Sequence, residues 1–245
     1  ESVIGTEFYI MERLEGRVFH DNSLPGIDAQ NRTLMFESMA KTLARLHNLD
    51  PIEVGLADFG RHENFIQRQI ERWTMQYQQA QFSVESLERL GEWLSGNIPE
   101  EQAYGVAHGD YRLGNLMFHP TEPRVLAILD WELSTLGPAP ADLGYNLTSW
   151  FMKPDEYHGL SGLPLSTLGI PDHELFADFY YRERGLQGRF DPYYTAFAFF
   201  RMSAIFVGIV ERASAAGKES SEQISFYRKL CDAFPRHGLK IIGEH

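Results

Sequence analysis

The 245-residue sequence predicts an α+β protein in which helices dominate and a short β-hairpin region interrupts them. Three observations carry that expectation. Apolar residues recur at helical spacing between Ile27 and His47, short β-type runs cluster between Gly105 and Leu129, and helical patterning returns from Ala141 onward. Hydrophobic residues at 43% and charged residues at 23% suffice for a packed core, so disorder is excluded as the organising principle.

Taken in order, Glu7 to Glu12 alternates as a strand and runs into Arg13-Leu14-Glu15-Gly16, where glycine allows a sharp change of direction. The segment 27–47 places Leu34, Met35, Met39, Leu43 and Leu46 on one helical face and stops at Asn48-Leu49-Asp50-Pro51. Two further helices are expected over 64–81 and 84–94, the second stopped near Gly96. The runs Gly105–His108, Leu116–Phe118 and Val125–Leu129 read as strands joined by tight polar connections. Helices follow over 172–184, 193–212 and 221–234. The apolar run from Ala196 to Val210, interrupted by Arg201, reads as a buried core helix.

Composition excludes several function classes. A formal net charge of -12 with no cluster of Lys and Arg argues against a nucleic-acid partner. The single cysteine, Cys231, forbids an internal disulfide and suits the cytoplasm. No stretch is read as long and apolar enough for a membrane span, and the first residues carry neither a basic region nor an apolar signal core. No membrane partner is expected, and the oligomeric state is not legible.

The chemistry is concentrated in two segments. His108-Gly109-Asp110-Tyr111-Arg112-Leu113-Gly114-Asn115 is followed, one hairpin later, by Ile128-Leu129-Asp130-Trp131-Glu132. Phosphoryl transfer needs a carboxylate to orient the attacking hydroxyl and accept its proton, and oxygen ligands for the Mg²⁺ that bridges the nucleotide phosphates. Asp110, Asn115 and Asp130 supply that set. The spacing H-x-D, four residues, then Asn is that of a kinase catalytic loop, and an Asp closing the next hairpin strand matches a magnesium-binding Asp. Either half alone is weak, since a lone strand-end Asp is commonly a turn former or cap.

These segments resemble the aminoglycoside phosphotransferase and choline kinase superfamily. The accompanying Phe8–Glu12, Leu46–Pro51, Arg68–Trp73 and Phe200–Met202 look like the branch related to the kinase-like domain fused to some acyl-CoA dehydrogenases. The resemblance implies a protein-kinase-like fold, mainly its helical C-terminal lobe (16–245), with 1–15 supplying the last strand of the N-terminal lobe and the hinge. It implies ATP and Mg²⁺ as cofactors, Asp110 as base, Asn115 and Asp130 as metal ligands, and Met11, Glu12, Arg13 and Leu14 as the hinge meeting adenine. Arg112 stands where a charge-neutralising group near the transferred phosphate is expected, or it pairs with a neighbouring carboxylate. Glu132 reaches the metal through water or orients Asp130. His108 is expected to hold the loop backbone, and Asp142 to tie the loop down or to cap the following helix.

The family's glycine-rich loop, strand lysine and helical glutamate are not found before the hinge. The only lysines are Lys41, Lys153, Lys218, Lys229 and Lys240, so most of the N-terminal lobe is expected to be missing and the chain as it stands to turn over little. The leading functional expectation is a kinase of a small-molecule hydroxyl. Acceptor specificity is expected around Trp150, Phe151, Tyr157, Tyr180, Tyr181, Tyr193 and Tyr194, unless these aromatics simply pack the core. A cationic acceptor would draw on Asp155, Glu156 and Asp191, and a hydroxyacyl-CoA on Arg182, Arg184, Arg189 and Arg201. Competing readings are a non-catalytic pseudokinase-type binding module and a metal-dependent hydrolase built on His108, Asp110, His119 and Asp130.

Overall fold

A computed structural model describes residues 5–6, 8, 10–61, 63–100, 104–217 and 220–244. Two small antiparallel sheets are embedded in helices. Strands β1 (Arg17–Val18), β3 (Leu116–Phe118) and β4 (Val125–Ile128) form one sheet in the order β1-β3-β4; β2 (Tyr104–Ala107) pairs with β5 (Thr135–Pro138) in the other. The long helices are α1 (Ala29–His47), α2 (Phe65–Tyr77), α3 (Glu85–Gly96), α4 (Ala139–Leu147), α7 (His173–Arg184), α8 (Tyr193–Ala216) and α9 (Ser221–Ile241); α5 (Pro154–Tyr157) and α6 (Leu165–Leu168) are single turns.

Local sequence explains the boundaries. Asp28 and Asp172 sit in extended backbone and accept the N–H groups of Asn31 and Leu175, so each starts its helix as an N-cap. Helix α7 ends on Gly185 in the left-handed region. Helix α9 continues beyond the expected stop at Phe234, through Pro235, because Leu230, Phe234, Pro235 and Leu239 are buried along it. Tertiary burial here outweighs the hydrogen bond that proline forfeits.

Two apolar clusters make the core. One joins Met35, Phe36, Met39 and Leu43 of α1 to Phe118, Leu143, Phe176 and Tyr180. The other joins Leu87, Leu90 and Leu94 of α3 to Phe199, Phe200 and Val207 of α8 and Phe234 of α9. Contrary to the sequence expectation, α8 is long and apolar enough to cross a bilayer by length and composition; 78% of its apolar window is nevertheless buried inside the fold. It is the central helix of the second cluster. Helix α4 crosses it backbone to backbone at Gly144, where a Cβ would lie 2.5 Å from the carbonyl carbon of Tyr194. That close approach sets the first turn of α8 directly against α4.

The strand expected over Glu7–Glu12 is not formed at its described residues. Glu7 and Tyr9 lie outside the described residues, while Phe8 and residues 10–16 have no regular structure, and Ile10 and Met11 are 89% and 72% exposed. Strands need a hydrogen-bonding neighbour, and the first pairing occurs only at Arg17↔Phe118 and Val18↔Met117. Helix-poor sequence around Thr135 also hid β5, whose Gly137 and Pro138 argue against a strand until the pairing with β2 is seen.

Candidate active site

The loop 108–115 leaves the end of β2 and enters β3, and its backbone is anchored from four directions. Asp142 of α4, only 3% exposed, accepts the N–H of His108 at 2.6 Å and that of Gly109 at 2.8 Å. Tyr111 turns into the core and donates its hydroxyl to the Met39 carbonyl of α1 at 2.7 Å. Arg201 of α8 donates to the Gly109 carbonyl, and Asn146 of α4 donates to the Tyr111 carbonyl at 3.3 Å. Gly109 itself has φ +81°, and a Cβ there would collide with the backbone carbonyl of Leu133. A left-handed, crowded position of this kind admits glycine alone.

His108 is fully buried and links the loop to the second motif. Its Nε2 donates to the Leu129 carbonyl at 2.9 Å while Nδ1 accepts the Asp110 N–H at 3.2 Å. Together the two bonds select the Nε2–H tautomer. The hairpin register pairs Leu116 with Ile128, and the Leu129 N–H donates to the Asn115 carbonyl at 2.8 Å. Asp130 follows at once, in the left-handed region at φ 65°, which aspartate tolerates better than most residues. Register and the His108 bridge therefore seat the second motif beside the first.

Asp110, Arg112 and Asn115 meet. Asn115, 4% exposed, donates Nδ2 to the Asp110 carbonyl at 2.9 Å and to its Oδ2 at 2.8 Å; this orientation leaves Asn115 Oδ1 to act as an oxygen ligand. Arg112 Nε lies 3.3 Å from Asp110 Oδ2, so the pairing reading of Arg112 is realised. Burial works against the Arg112 charge, and Asp110 beside it more than restores it, so its pKa is raised overall. For Tyr145 of α4, burial first, then the nearby Asp110 charge, drive the hydroxyl well above the ordinary tyrosine value, so it stays protonated. Asp130 is exposed and makes no hydrogen bond or ion pair among the described residues. The donor set, an amide oxygen and a carboxylate, suits the hard cation Mg²⁺.

Beneath the loop lies a second network that the sequence did not reveal. His47, at the end of α1, places Nε2 3.3 Å from Asp142 Oδ2, and Nδ1 2.7 Å from the Tyr180 hydroxyl. Burial alone would raise the Asp142 pKa, but His47 and the two backbone N–H groups outweigh it and the net direction is down. Asp142 is not the cap of α4: it stands inside the first turn, behind Pro138. Asp142, Tyr145 and Asn146 occupy positions i, i+3 and i+4 of α4, so one helical face serves the whole loop. That spacing was the available signal for Tyr145 and Asn146.

Other expected residues are placed elsewhere. Met11 and Leu14 are exposed, and no hydrogen bond or ion pair links 11–14 to Asp110 among the described residues. Trp150, Tyr180, Tyr193 and Tyr194 are core side chains, whereas Tyr157 lines a cavity of about 260 Å³ beside Arg112 and Tyr145. Phe151, Tyr181 and Arg189 line a separate cavity of about 650 Å³. Arg184 donates to the His47 carbonyl at the end of α1, and Arg182 points to Asp178 on the surface at 4.0 Å. His119 is taken up by the β3–β4 turn, accepting the Glu122 N–H at 3.1 Å, and no three His, Cys, Asp or Glu side chains converge on a metal position among the described residues. The hydrolase reading therefore has no cluster to stand on.

Comparison with known proteins places this geometry in context. The pattern defining the phosphotransferase enzyme family matches residues 1–160. Acyl-CoA dehydrogenase family member 10 of Mus musculus is 38% identical over 95% of the chain and 22% of its own length; across the curated relatives matched, the chain spans 22% to 32% of each. A crystal structure from Ralstonia eutropha, whose description as an aminoglycoside phosphotransferase is itself provisional, superposes with TM-score 0.89 at 42% identity, covering 96% of this chain and 72% of that one. Spectinomycin phosphotransferase, solved with ADP and spectinomycin, shares the fold with TM-score 0.58 at 14% identity, over 94% of this chain and 70% of its own.

Proposed function

Since the chain belongs to the phosphotransferase enzyme family and has its kinase-like fold, small sheets set in a mostly helical body, we propose that it transfers the γ-phosphoryl group of ATP to a hydroxyl of a small molecule. The observation that carries this reading is the Asp110–Asn115 pair with Asp130 seated beside it by the hairpin register. Asp110 takes the proton of the acceptor hydroxyl as its oxygen bonds to the γ-phosphorus and the bond to the β-phosphate oxygen breaks, releasing ADP. Asn115 Oδ1 and the Asp130 carboxylate would hold Mg²⁺, which when bound neutralises phosphate charge. Arg112 serves both readings at once: it pairs with Asp110 and keeps a guanidinium beside the transfer position.

Met11 to Leu14 remain the proposed adenine-facing segment. In support, they lead directly into Arg17 and Val18, which pair with the strand that follows Asn115. The buried Cys231 thiol supports a reducing, cytoplasmic setting.

The test is Mg²⁺-dependent ADP release by the natural polypeptide that carries this chain, offered aminoglycosides, choline, sugars and hydroxyacyl-CoA compounds. Acceptor-stimulated release is expected, and Asp110→Asn is expected to lower kcat by roughly 10²–10⁴-fold with nucleotide affinity unchanged within about twofold. Near-normal turnover by Asp110→Asn would sink the base assignment. Absence of both nucleotide binding and ADP release would favour the binding-module alternative.

A further inference from the structure

A cavity opens beside Arg112, the partner of Asp110. Its volume, about 260 Å³, lies below the roughly 300–1,000 Å³ of clefts that bury drug-sized ligands, so it suits a small molecule or one end of a larger one. The polar lining consists of Arg112, the imidazoles of His20 and His158, the Asn22 amide, and the hydroxyls of Tyr145, Thr148, Ser149 and Tyr157. Among the described residues no aspartate or glutamate lines it. An imidazole carries zero or positive charge at any pH, so the lining supplies no negative charge.

None of the acids near this region in sequence is in the lining: Asp21 accepts the Ser23 N–H at 2.8 Å, and Asp155 is exposed. Glu156 accepts His237 Nε2 and the Lys153 N–H, both at 2.8 Å. Asp191 accepts the Tyr193 N–H at 2.9 Å at the start of α8. Asp110 is already engaged by Asn115 and Arg112. Aromatic faces do not compensate. The Tyr145 ring has the Arg201 guanidinium over it at 5.1 Å, so its attraction for cations is already used, and Arg201 adds a second positive charge behind the wall. An ammonium group entering this cavity would lose its hydration with two guanidinium groups nearby and no carboxylate to replace it.

We infer that the cavity selects a hydroxyl acceptor without ammonium groups, an uncharged or anionic hydroxy compound, and rejects aminoglycosides and choline by charge. The inference rests on the phosphotransferase reading for what becomes of the acceptor, but the selectivity itself is a binding property. Saturation-transfer NMR on the natural polypeptide, with and without a non-hydrolysable ATP analogue and Mg²⁺, would use myo-inositol, glucose and glycerate against kanamycin and choline.

At least one of the first three is expected to bind at least tenfold more tightly than either cation. Ser149→Asp, which places a carboxylate in the lining, is expected to narrow or reverse that ratio; Ser149→Ala, which adds no charge, is expected to leave it within about threefold. Kanamycin or choline binding as tightly as the best non-cationic probe would overturn the inference, and so would silence from all three non-cationic probes. Retained selectivity without any ATP turnover would support the inference while removing the phosphoryl-transfer reading.

Discussion

Asp142 and Asp130 both serve the loop 108–115, and the fold treats them oppositely. Asp142 is buried, accepts two backbone N–H groups and is met by His47 from behind. Asp130 is exposed, held only through its backbone, and left without a partner among the described residues. One carboxylate has its charge satisfied by the protein, so it can fix geometry. The other has its charge left over, so it can bind something that arrives. The contrast extends to their neighbours: the supports His108 and Tyr111 are fully buried, whereas Trp131 and Leu133 around Asp130 are 41% and 52% exposed. Rigidity is built below the loop and reactivity is left above it.

The sharpest way to break this comparison is Asp130→Asn. Asparagine tolerates the left-handed backbone and keeps the side-chain shape, so only the negative charge is lost. Turnover of the natural polypeptide is expected to fall by at least about 100-fold, while chemical denaturation shifts by less than about 0.5 kcal/mol. A large stability loss would mean that Asp130 supports the fold after all. Asp142→Ala should do the reverse in kind. It leaves the N–H groups of His108 and Gly109 buried without an acceptor, and His47 without its carboxylate, for a cost of about 3 kcal/mol. A denaturation midpoint matching the parent would show that the underside is not what holds the loop.

Gly109 lies between these regimes and tests whether the loop can yield. Alanine there must adopt φ +81° against the Leu133 carbonyl. About 1–2 kcal/mol of backbone strain and a similar overpacking cost are expected, with activity lost through displacement of Asp110. Unchanged stability in Gly109→Ala would show that the 108–115 and 130–133 segments slide freely past one another.

How much of this was readable in advance follows the same division. Helices α1, α7 and α8 were legible because apolar spacing is a local signal. Strands β2, β3 and β4 were legible as short apolar runs, and the order of the two motifs around the hairpin foretold that Asp130 follows Asn115's strand partner. At the described residues of 7–12 no strand forms, since alternation makes a strand only where a neighbour pairs with it. The roles of His47 and Arg201 were not legible, since each acts across 90 or more residues of sequence: His47 on Asp142, and Arg201 on Gly109. Tyr145 was within reach, three residues beyond Asp142 on one helical face.

Acid titration gives the smallest effect and the finest test of the comparison. Burial pushes the Asp142 pKa up, His47 and the loop N–H groups push it down, and the net folded-state value lies below the ordinary 3.8. A carboxyl group depressed on folding stabilises the native state fully above its unfolded pKa, and that contribution disappears as pH falls through the folded value. Stability of the parent protein should therefore approach that of Asp142→Asn as the solution is taken below about pH 4, the ordinary aspartate range. Above that range the gap between the two should be constant. Asp130→Asn, a substitution at an exposed position, is the control. Denaturant titrations of the three proteins at pH 3 to 7 measure this directly, and a gap for Asp142→Asn that persists unchanged at pH 3 would mean that its charge contributes nothing to holding the loop.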